Sequence, residues 1–457
     1  MTGEASQLVE DSASALGEES VGKLLVQYSL PAVISTSVAS LYNIVDRVFI
    51  GQGVGPMAIS GLALTFPMMN LAAAFGALVG AGAAALVSIR LGQGRRQEAH
   101  AILGNTVFLN FVLSSAYALV CFLLLDKILY AMGASPQTLP YARQFMQIIL
   151  LGNVFTHVYL GLNNVMRASG YPRKAMAMTL LTVGINVILA PLFIFVFHWG
   201  IRGAATATVL AQAIGALCEF PHFLRPDSSV RFHLSCLRPN TRIIRDIFAI
   251  GMSNFVILFC ASFVSVTYNL RLAHYGGDYA IGAFGIVNSL ANLAVMVTIG
   301  VNMGMQPIAG YNFGARRFSR VRKVFRLAVL AASSVTTCGF LLGELFPRMV
   351  ARAFTVDGEL IAQAVLGLRL TFAVYPINGF QIATSGFFQA IGRARISMLL
   401  SLSRQVLLLI PALVILPGFF GLSGVWLAGP VSDLAAALVA LMLLRTQFHK
   451  SLTGTLA

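Results

Sequence analysis

Twelve stretches of mostly apolar residues, each long enough to cross a lipid bilayer as an α-helix, follow one another along this chain. A spanning helix needs about 20 such residues. The stretches run over 24–50, 57–81, 103–126, 138–165, 174–198, 201–224, 243–271, 280–304, 324–347, 361–390, 396–417 and 421–446. Short alternating segments, the mark of a transmembrane β-barrel, are absent. The pattern predicts an all-α membrane protein with 12 transmembrane helices. Charge agrees: of 457 residues only 31 are Lys or Arg and 16 are Asp or Glu, and five of those acids stand in the first 19 residues. A soluble protein carries about a quarter charged residues, so this chain cannot cover a water-facing surface. That excludes an ordinary cytosolic enzyme, a disordered protein and a nucleic-acid binder. The net charge of +15 comes from short basic clusters between the apolar runs, which is membrane topology rather than a nucleic-acid footprint.

The five cysteines, Cys121, Cys218, Cys236, Cys260 and Cys338, form no CxxC pair, and four lie inside apolar runs. They read as small buried hydrophobes rather than metal or redox ligands. The N-terminus is acidic and no AxA-type site follows the first apolar run, so that run is expected to stay as a helix.

Loop charge sets the orientation. One alternating set of connections and tails holds 22 basic residues and the opposite set holds 6. By the positive-inside rule both termini are expected in the cytoplasm, which requires an even number of spans.

The sequence also repeats itself at an offset of 222. Gly55, Ala58 and Ile59 recur as Gly277, Ala280 and Ile281, and Asn70-Leu71-Ala72 as Asn292-Leu293-Ala294. Ten identities fall in the 41 positions 55–95 without a gap, and Ala168, Gly170, Arg173 and Met176 recur as Ala390, Gly392, Arg395 and Met398. The expected organisation is an acidic cytoplasmic tail (1–22), a first lobe of six helices (23–224), a cytoplasmic linker (225–242), a second lobe of six helices (243–446) and a short tail (447–457). Lobes of six helices enter the membrane from the same side, so an axis along the membrane normal relates them. Two pseudo-symmetric lobes leave a central cleft, and rocking them would open it to each side in turn. HExxH, GxSxG and Walker motifs are missing, so the chain reads as a transporter, not an enzyme. Without a nucleotide site its energy is expected from an ion gradient.

Several motifs resemble one known family. Leu41-Tyr42-Asn43-Ile44-Val45-Asp46-Arg47-Val48-Phe49-Ile50-Gly51 is similar to the first-helix motif of the multidrug and toxic compound extrusion (MATE) family. Leu91-Gly92-Gln93-Gly94-Arg95-Arg96 resembles its loop between helices 2 and 3, and Arg167-Ala168-Ser169-Gly170 its loop after helix 4. Gln306-Pro307-Ile308-Ala309-Gly310-Tyr311-Asn312-Phe313-Gly314-Ala315 resembles the matching motif of the second lobe. The resemblance covers residues of about 20–446 and is nearest to the MepA-like branch. It implies an antiporter that exports bulky, often cationic or amphipathic organic compounds in exchange for H⁺ or Na⁺. It implies no cofactor beyond that coupling ion, small organic molecules and the bilayer as partners, no nucleic acid, a monomer, and the inner (cytoplasmic) membrane. A lipid-linked oligosaccharide flippase or polysaccharide exporter of the same superfamily is the alternative. It would want a strongly basic cavity, for which Arg369 and Arg404 are the deep basic residues.

Asp46 stands out on physical grounds. A charge deep in the bilayer costs roughly 2.5–3.5 kcal/mol on insertion scales, so a partner, a proton or a bound cation should compensate it. Arg47 points about 100° away on a helix and cannot share its face. The resemblance implies the cation- or proton-binding carboxylate of the first lobe; Asp46 would be a metal ligand only if the ion is Na⁺. Pro31 in the same helix removes a backbone hydrogen bond, and the resemblance implies the bending point of helix 1. Asn186 and Thr208 are polar groups in apolar surroundings, and by resemblance they complete the coupling site. The family motif around Asn186 has an acid where this chain has Ala190. Proton coupling needs only one carboxyl, which favours H⁺. Asp433, in helix 12, is a second intramembrane acid, open to a role in coupling, substrate contact or an interhelical bond. Asn163, Tyr375 and Gln381 are candidates for the substrate cleft. Glu219 and Glu344 read as interfacial.

Overall fold

The computed structural model describes residues 15–452 apart from 133, 135, 355 and 356. The first 14 residues of the acidic tail and residues 453–457 lie outside the described ones. No strand occurs among the described residues. Eleven helices are long and apolar enough to span a membrane, and a bent pair makes a twelfth span. In chain order they are α1 (Val21–Gly53), α2 (Pro56–Gly92), α3 (Arg96–Leu123), α4 (Leu139–Ala168), α5 (Pro172–Pro191) and α6 (Gly200–Leu224). Then come α7 (Thr241–Leu272), α8 (Gly282–Gly314), α9 (Phe318–Leu345), the bent α10 (Gly358–Phe372 and Pro376–Ala390, 53° apart), α11 (Ala394–Phe420) and α12 (Leu422–Thr446). Pro56, Pro172 and Pro376 open helices at the first turn, where the missing N–H would have no intrahelical partner anyway. The protein is a multi-pass membrane protein of the fold class its sequence predicts. One boundary differs from expectation. The 272–279 stretch is not an open loop, because helical structure runs from Thr241 to Gly314 with a single break at Gly277 (φ 63, ψ −159), a conformation that glycine adopts readily.

The internal repeat is written into the backbone. Among the described residues, four of the five positive-φ positions of the first half, Gly55, Gly94, Gly170 and Gly200, are matched in the second by Gly277, Arg316, Gly392 and Gly421; His198 is the one without a counterpart. The offset is 222 for three of the pairs and 221 for the last. Turn geometry has therefore been kept where side chains have not, and Arg316 holds φ 57 where its counterpart is a glycine.

The chain forms two compact units. One comprises Ile34–Phe255 with Gly310–Ala315; the other comprises Ser20–Val33, Val256–Ala309 and the chain from Arg316 onward. The units exchange helix starts relative to the expected lobes, since the first part of α1 belongs with the second unit and the first part of α7 with the first. The switch points, 33/34 in α1 and 255/256 in α7, are themselves 222 residues apart. Lipid supplies no hydrophobic drive between helices, so the seams within each unit close by small residues that let backbones approach. In the first unit α2 meets α7 at Gly82 and Gly251, where a Cβ on either would overlap the carbonyl of Ile247 or of Leu78. In the second unit α8 meets α1 at Gly304, whose Cβ would stand 2.6 Å from the Ser29 Cα. Gly82 and Gly304 are repeat partners.

The first unit is filled around Leu62, Tyr117, Phe145, Met146 and Ile194. The second is filled around Trp426, Phe372, Leu368 and Leu413. The 225–242 linker is docked on α3: Asn105 donates to the Arg238 carbonyl at 3.4 Å and accepts from the Asn240 N–H at 2.9 Å. Asn240 in turn caps α7 by accepting from the N–H groups of Arg242 and Ile243.

Gly304→Ala should lower the thermal stability of the purified protein by roughly 1–3 kcal/mol through overpacking against backbone that cannot move aside. Gly184→Ala, in an exposed stretch of α5 with nothing within 4 Å of the added carbon, should instead be neutral or raise it by about 1 kcal/mol. Melting curves in detergent compare the two.

Candidate functional site

A polar group of four side chains sits among α1, α5 and α6 in the first unit. Tyr42 and Asp46 lie one turn apart on α1 and therefore on one face. The Tyr42 hydroxyl is 3.2 Å from Thr208 Oγ1. Asn186 Nδ2 donates to the same Thr208 oxygen at 3.2 Å, and the Thr208 hydroxyl donates to the Ala204 carbonyl at 3.1 Å. Asp46 and Asn186 are further hydrogen-bonding neighbours of the Tyr42 hydroxyl. The three residues expected to work together, Asp46, Asn186 and Thr208, are thus brought to one point, with Tyr42 at its centre. Asn186 is buried, and its Oδ1 has no hydrogen-bond partner among the described residues. A buried acceptor left unmade costs about 1–3 kcal/mol, so this oxygen is one that a proton donor or a cation would satisfy.

The position of the missing acid is sealed. Ala190, one turn beyond Asn186, is fully buried against Phe193 and Ala207, with Phe49 packed on them. Phe49 also meets Phe195 edge-on at 6.3 Å. Among the described residues Asp46 is the carboxylate of this group. The side chain of Arg47 lies outside the described ones. Pro31 lies inside α1, which continues through it from Val21 to Gly53; the switch of α1 from one unit to the other falls just past it, at Val33/Ile34.

The other singled-out residues lie apart from this group. Asn163 is buried and fully used: its Nδ2 donates to Glu219 Oε1 at 2.7 Å and to the Ala175 carbonyl at 2.9 Å, and its Oδ1 accepts from Arg167 at 3.0 Å. One amide ties α4, α5 and α6 together between opposite charges. Glu219, expected at an interface, has no exposed surface at all, because Asn163 and Arg167 compensate it inside the bundle. In the second unit Asp433 is buried and accepts from Arg404 Nε at 2.6 Å. Tyr375, at the bend of α10, is buried and donates to the Ala291 carbonyl at 3.0 Å. Gln381 is buried on the second half of α10. Reading the sequence missed Tyr42 and Arg167, and it left the interhelical bond of Asp433, which is to Arg404, as one of several openings. The i, i+4 spacings of Tyr42 to Asp46 and of Asn163 to Arg167 were the available signals.

Comparison with known proteins identifies the family and the fold. The MatE family profile matches twice, over residues 31–192 and 255–415, so each half carries one copy. The multidrug export protein MepA of Staphylococcus haemolyticus is 27% identical over 426 residues, covering 93% of this chain and 94% of that protein. MepA of Staphylococcus aureus is 28% identical over 424 residues, 93% of each chain. Among solved structures, the MATE multidrug transporter DinF-BH is 35% identical, with a TM-score of 0.88 over 96% of this chain and 98% of that one. An outward-facing multidrug resistance MATE family transporter has a TM-score of 0.90 over 96% of this chain and 98% of that one, at 23% identity, which speaks for the fold alone.

Asn163→Ala should leave Glu219 and Arg167 unbridged in a dry interior and cost about 2–4 kcal/mol. The expected result is a lowered melting temperature for the purified protein. An unchanged melting temperature with an altered substrate profile would make Asn163 a cleft residue instead.

Proposed function

This chain belongs to the MATE family of transporters, and from that premise we propose that it is a secondary active antiporter in the cytoplasmic membrane. It expels bulky, cationic or amphipathic organic compounds in exchange for an incoming cation, by alternating access of its two halves, with both termini on the cytoplasmic side. The observation that carries the coupling role is the meeting of Asp46, Tyr42, Asn186 and Thr208 from three helices. An intramembrane carboxylate needs compensation. A proton on Asp46 removes the charge outright and gives the carboxyl a donor of its own. Loading and release of that proton change what the α1 face can bond to on α5 and α6, and this is how the ion's presence reaches a helix. The buried Ala190 supports proton exchange, because no second carboxylate stands by to bind a metal cation.

Sodium is the second reading, and the orphan Oδ1 of Asn186 is what favours it. The carboxylate of Asp46 with the oxygens of Asn186, Thr208 and Tyr42 would make an all-oxygen set suited to a hard cation. The flippase alternative, which would want a strongly basic cavity, loses support because the charge of Arg404 is balanced by Asp433.

Purified protein in liposomes tests the proposal. An inward-directed coupling-ion gradient should drive efflux of a cationic dye, with H⁺ effective and Na⁺ not on the preferred reading. Asp46→Asn should abolish the gradient-driven part, a loss of about tenfold or more for one essential charged contact, while dye binding persists. Dye movement indifferent to both gradients would overturn coupled transport. Full coupled transport by Asp46→Asn would overturn the role of that carboxyl.

A further inference from the structure

The linker between the two halves carries a concentration of charge that the polar group around Tyr42 does not use. Residues 225–245 hold five arginines, Arg225, Arg231, Arg238, Arg242 and Arg245, against one acid, Asp227. Among the described residues none of these arginines forms an ion pair. The acids on the first turns of α3 and α7 are already taken. Glu98 meets Arg90 at 3.0 Å and Arg95 at 3.3 Å, and Asp246 lies 3.7 Å from Arg90. His100 of α3 stands within electrostatic reach of Arg96, Arg231 and His233, so positive charge from the linker and from α3 converges at one place.

Beside this charge, within the first unit, is an open cleft of about 460 Å³, lined by Ala101 and Asn105 of α3, Cys236 and Arg238 of the linker, and Thr241 at the start of α7. Clefts of about 300–1,000 Å³ hold small ligands. The walls are fixed in place. Gly104 lets the linker settle onto α3, since a Cβ there would overlap the Cys236 carbonyl. Asn105 donates to the Arg238 carbonyl at 3.4 Å and accepts from the Asn240 N–H at 2.9 Å, which grips the backbone at Arg238 while its side chain stays exposed. A cation held this way loses little freedom on binding. Membrane topology asks only for basic residues in a loop; it does not ask for a loop bolted to a helix with a cleft between them. Asn105 is the third residue of the apolar stretch that begins at 103, so the cleft lies at the edge of the hydrocarbon, where lipid phosphates stand.

We propose that this cleft binds the phosphate ester of an anionic phospholipid head group, with the guanidinium of Arg238 as its main contact. The guanidinium fork fits two phosphate oxygens at once, and basic pockets beside spanning helices are suited to acidic head groups. The unpaired arginines leave a net positive charge. A zwitterionic head group does not neutralise it, because its own cation already cancels its phosphate. Phe108 and Val112 continue the face of Ala101 and Asn105 along α3, and Val112 is exposed, so the acyl chains of a lipid held at Arg238 have apolar surface to lie on. Free phosphate shares the anionic chemistry but has no use for that surface. The site requires only that the chain crosses a bilayer, and it stands or falls separately from antiport.

The test reads how fast N-ethylmaleimide alkylates Cys236, the free thiol on the cleft wall, by peptide mass spectrometry of the full-length protein in lipid nanodiscs. Discs of phosphatidylcholine mixed with phosphatidylglycerol should slow the reaction about fivefold relative to discs of phosphatidylcholine alone, because an occupied cleft shields the thiol in proportion to occupancy. Inorganic phosphate added to the phosphatidylcholine discs should leave the rate within about twofold. Arg238→Gln should reduce the slowing by phosphatidylglycerol to under about twofold. Arg245→Gln, which removes the same charge from outside the cleft, should keep it. Equal rates for wild type in the two kinds of disc overturn the site, and this arm needs no variant to fold. Slowing that survives in Arg238→Gln, or that is lost equally in both variants, reports the diffuse surface potential of anionic discs and also overturns it. Protection by inorganic phosphate equal to that by phosphatidylglycerol overturns the lipid as the ligand.

Discussion

Hydrocarbon cannot solvate a polar group, and this constraint governs every side-chain interaction that matters here. A charge or amide inside a span must be compensated within the bundle. The first unit meets this demand in two places. Near one end of α4 and α6, Asn163 bridges Glu219 and Arg167 with two strong bonds at 2.7 and 3.0 Å. Neither set is complete among the described residues: Glu219 Oε2 and Asn186 Oδ1 both stay without a hydrogen-bond partner. In the second unit Asp433 accepts from Arg404, so its charge too is met from a neighbouring helix.

The repeat shows what such a scaffold has to conserve. Four positive-φ positions recur in both halves at an offset of 222 or 221, because a turn between two spanning helices fixes where the next helix begins. Gly82 and Gly304 recur because backbones pass too closely there for any side chain. The polar centres do not recur: Asp46 corresponds to Tyr268, and Thr182 and Gln212 correspond to Arg404 and Asp433. Turns and close approaches are properties of the backbone, so duplication preserves them. Side chains that meet a ligand are free to diverge.

Much of the polar group of Tyr42, Asp46, Asn186 and Thr208 was legible in advance. Asp46 was conspicuous because acids are rare after the N-terminal tail, and Asn186 and Thr208 followed from motif resemblance. Tyr42 was not, since its partner Thr208 lies 166 residues away on α6. Glu219 was misjudged for a related reason. Its position five residues from the end of α6 suggested water, yet its partner Asn163 lies 56 residues away on α4, and a hydropathy profile contains no term for that.

The sequence by itself determined the helices, their number, the repeat and the orientation expected from loop charge. Each of these depends on the length, composition or flanking charge of one segment, and transfer into a bilayer acts on segments one at a time. Only the tertiary structure decided which polar groups meet. Tyr42 and Thr208 are 166 residues apart, and their contact depends on the rotation and depth of α1 against α6. Those two quantities are set by packing at the small-residue seams. Because packing is a property of pairs of helices, no single segment encodes it.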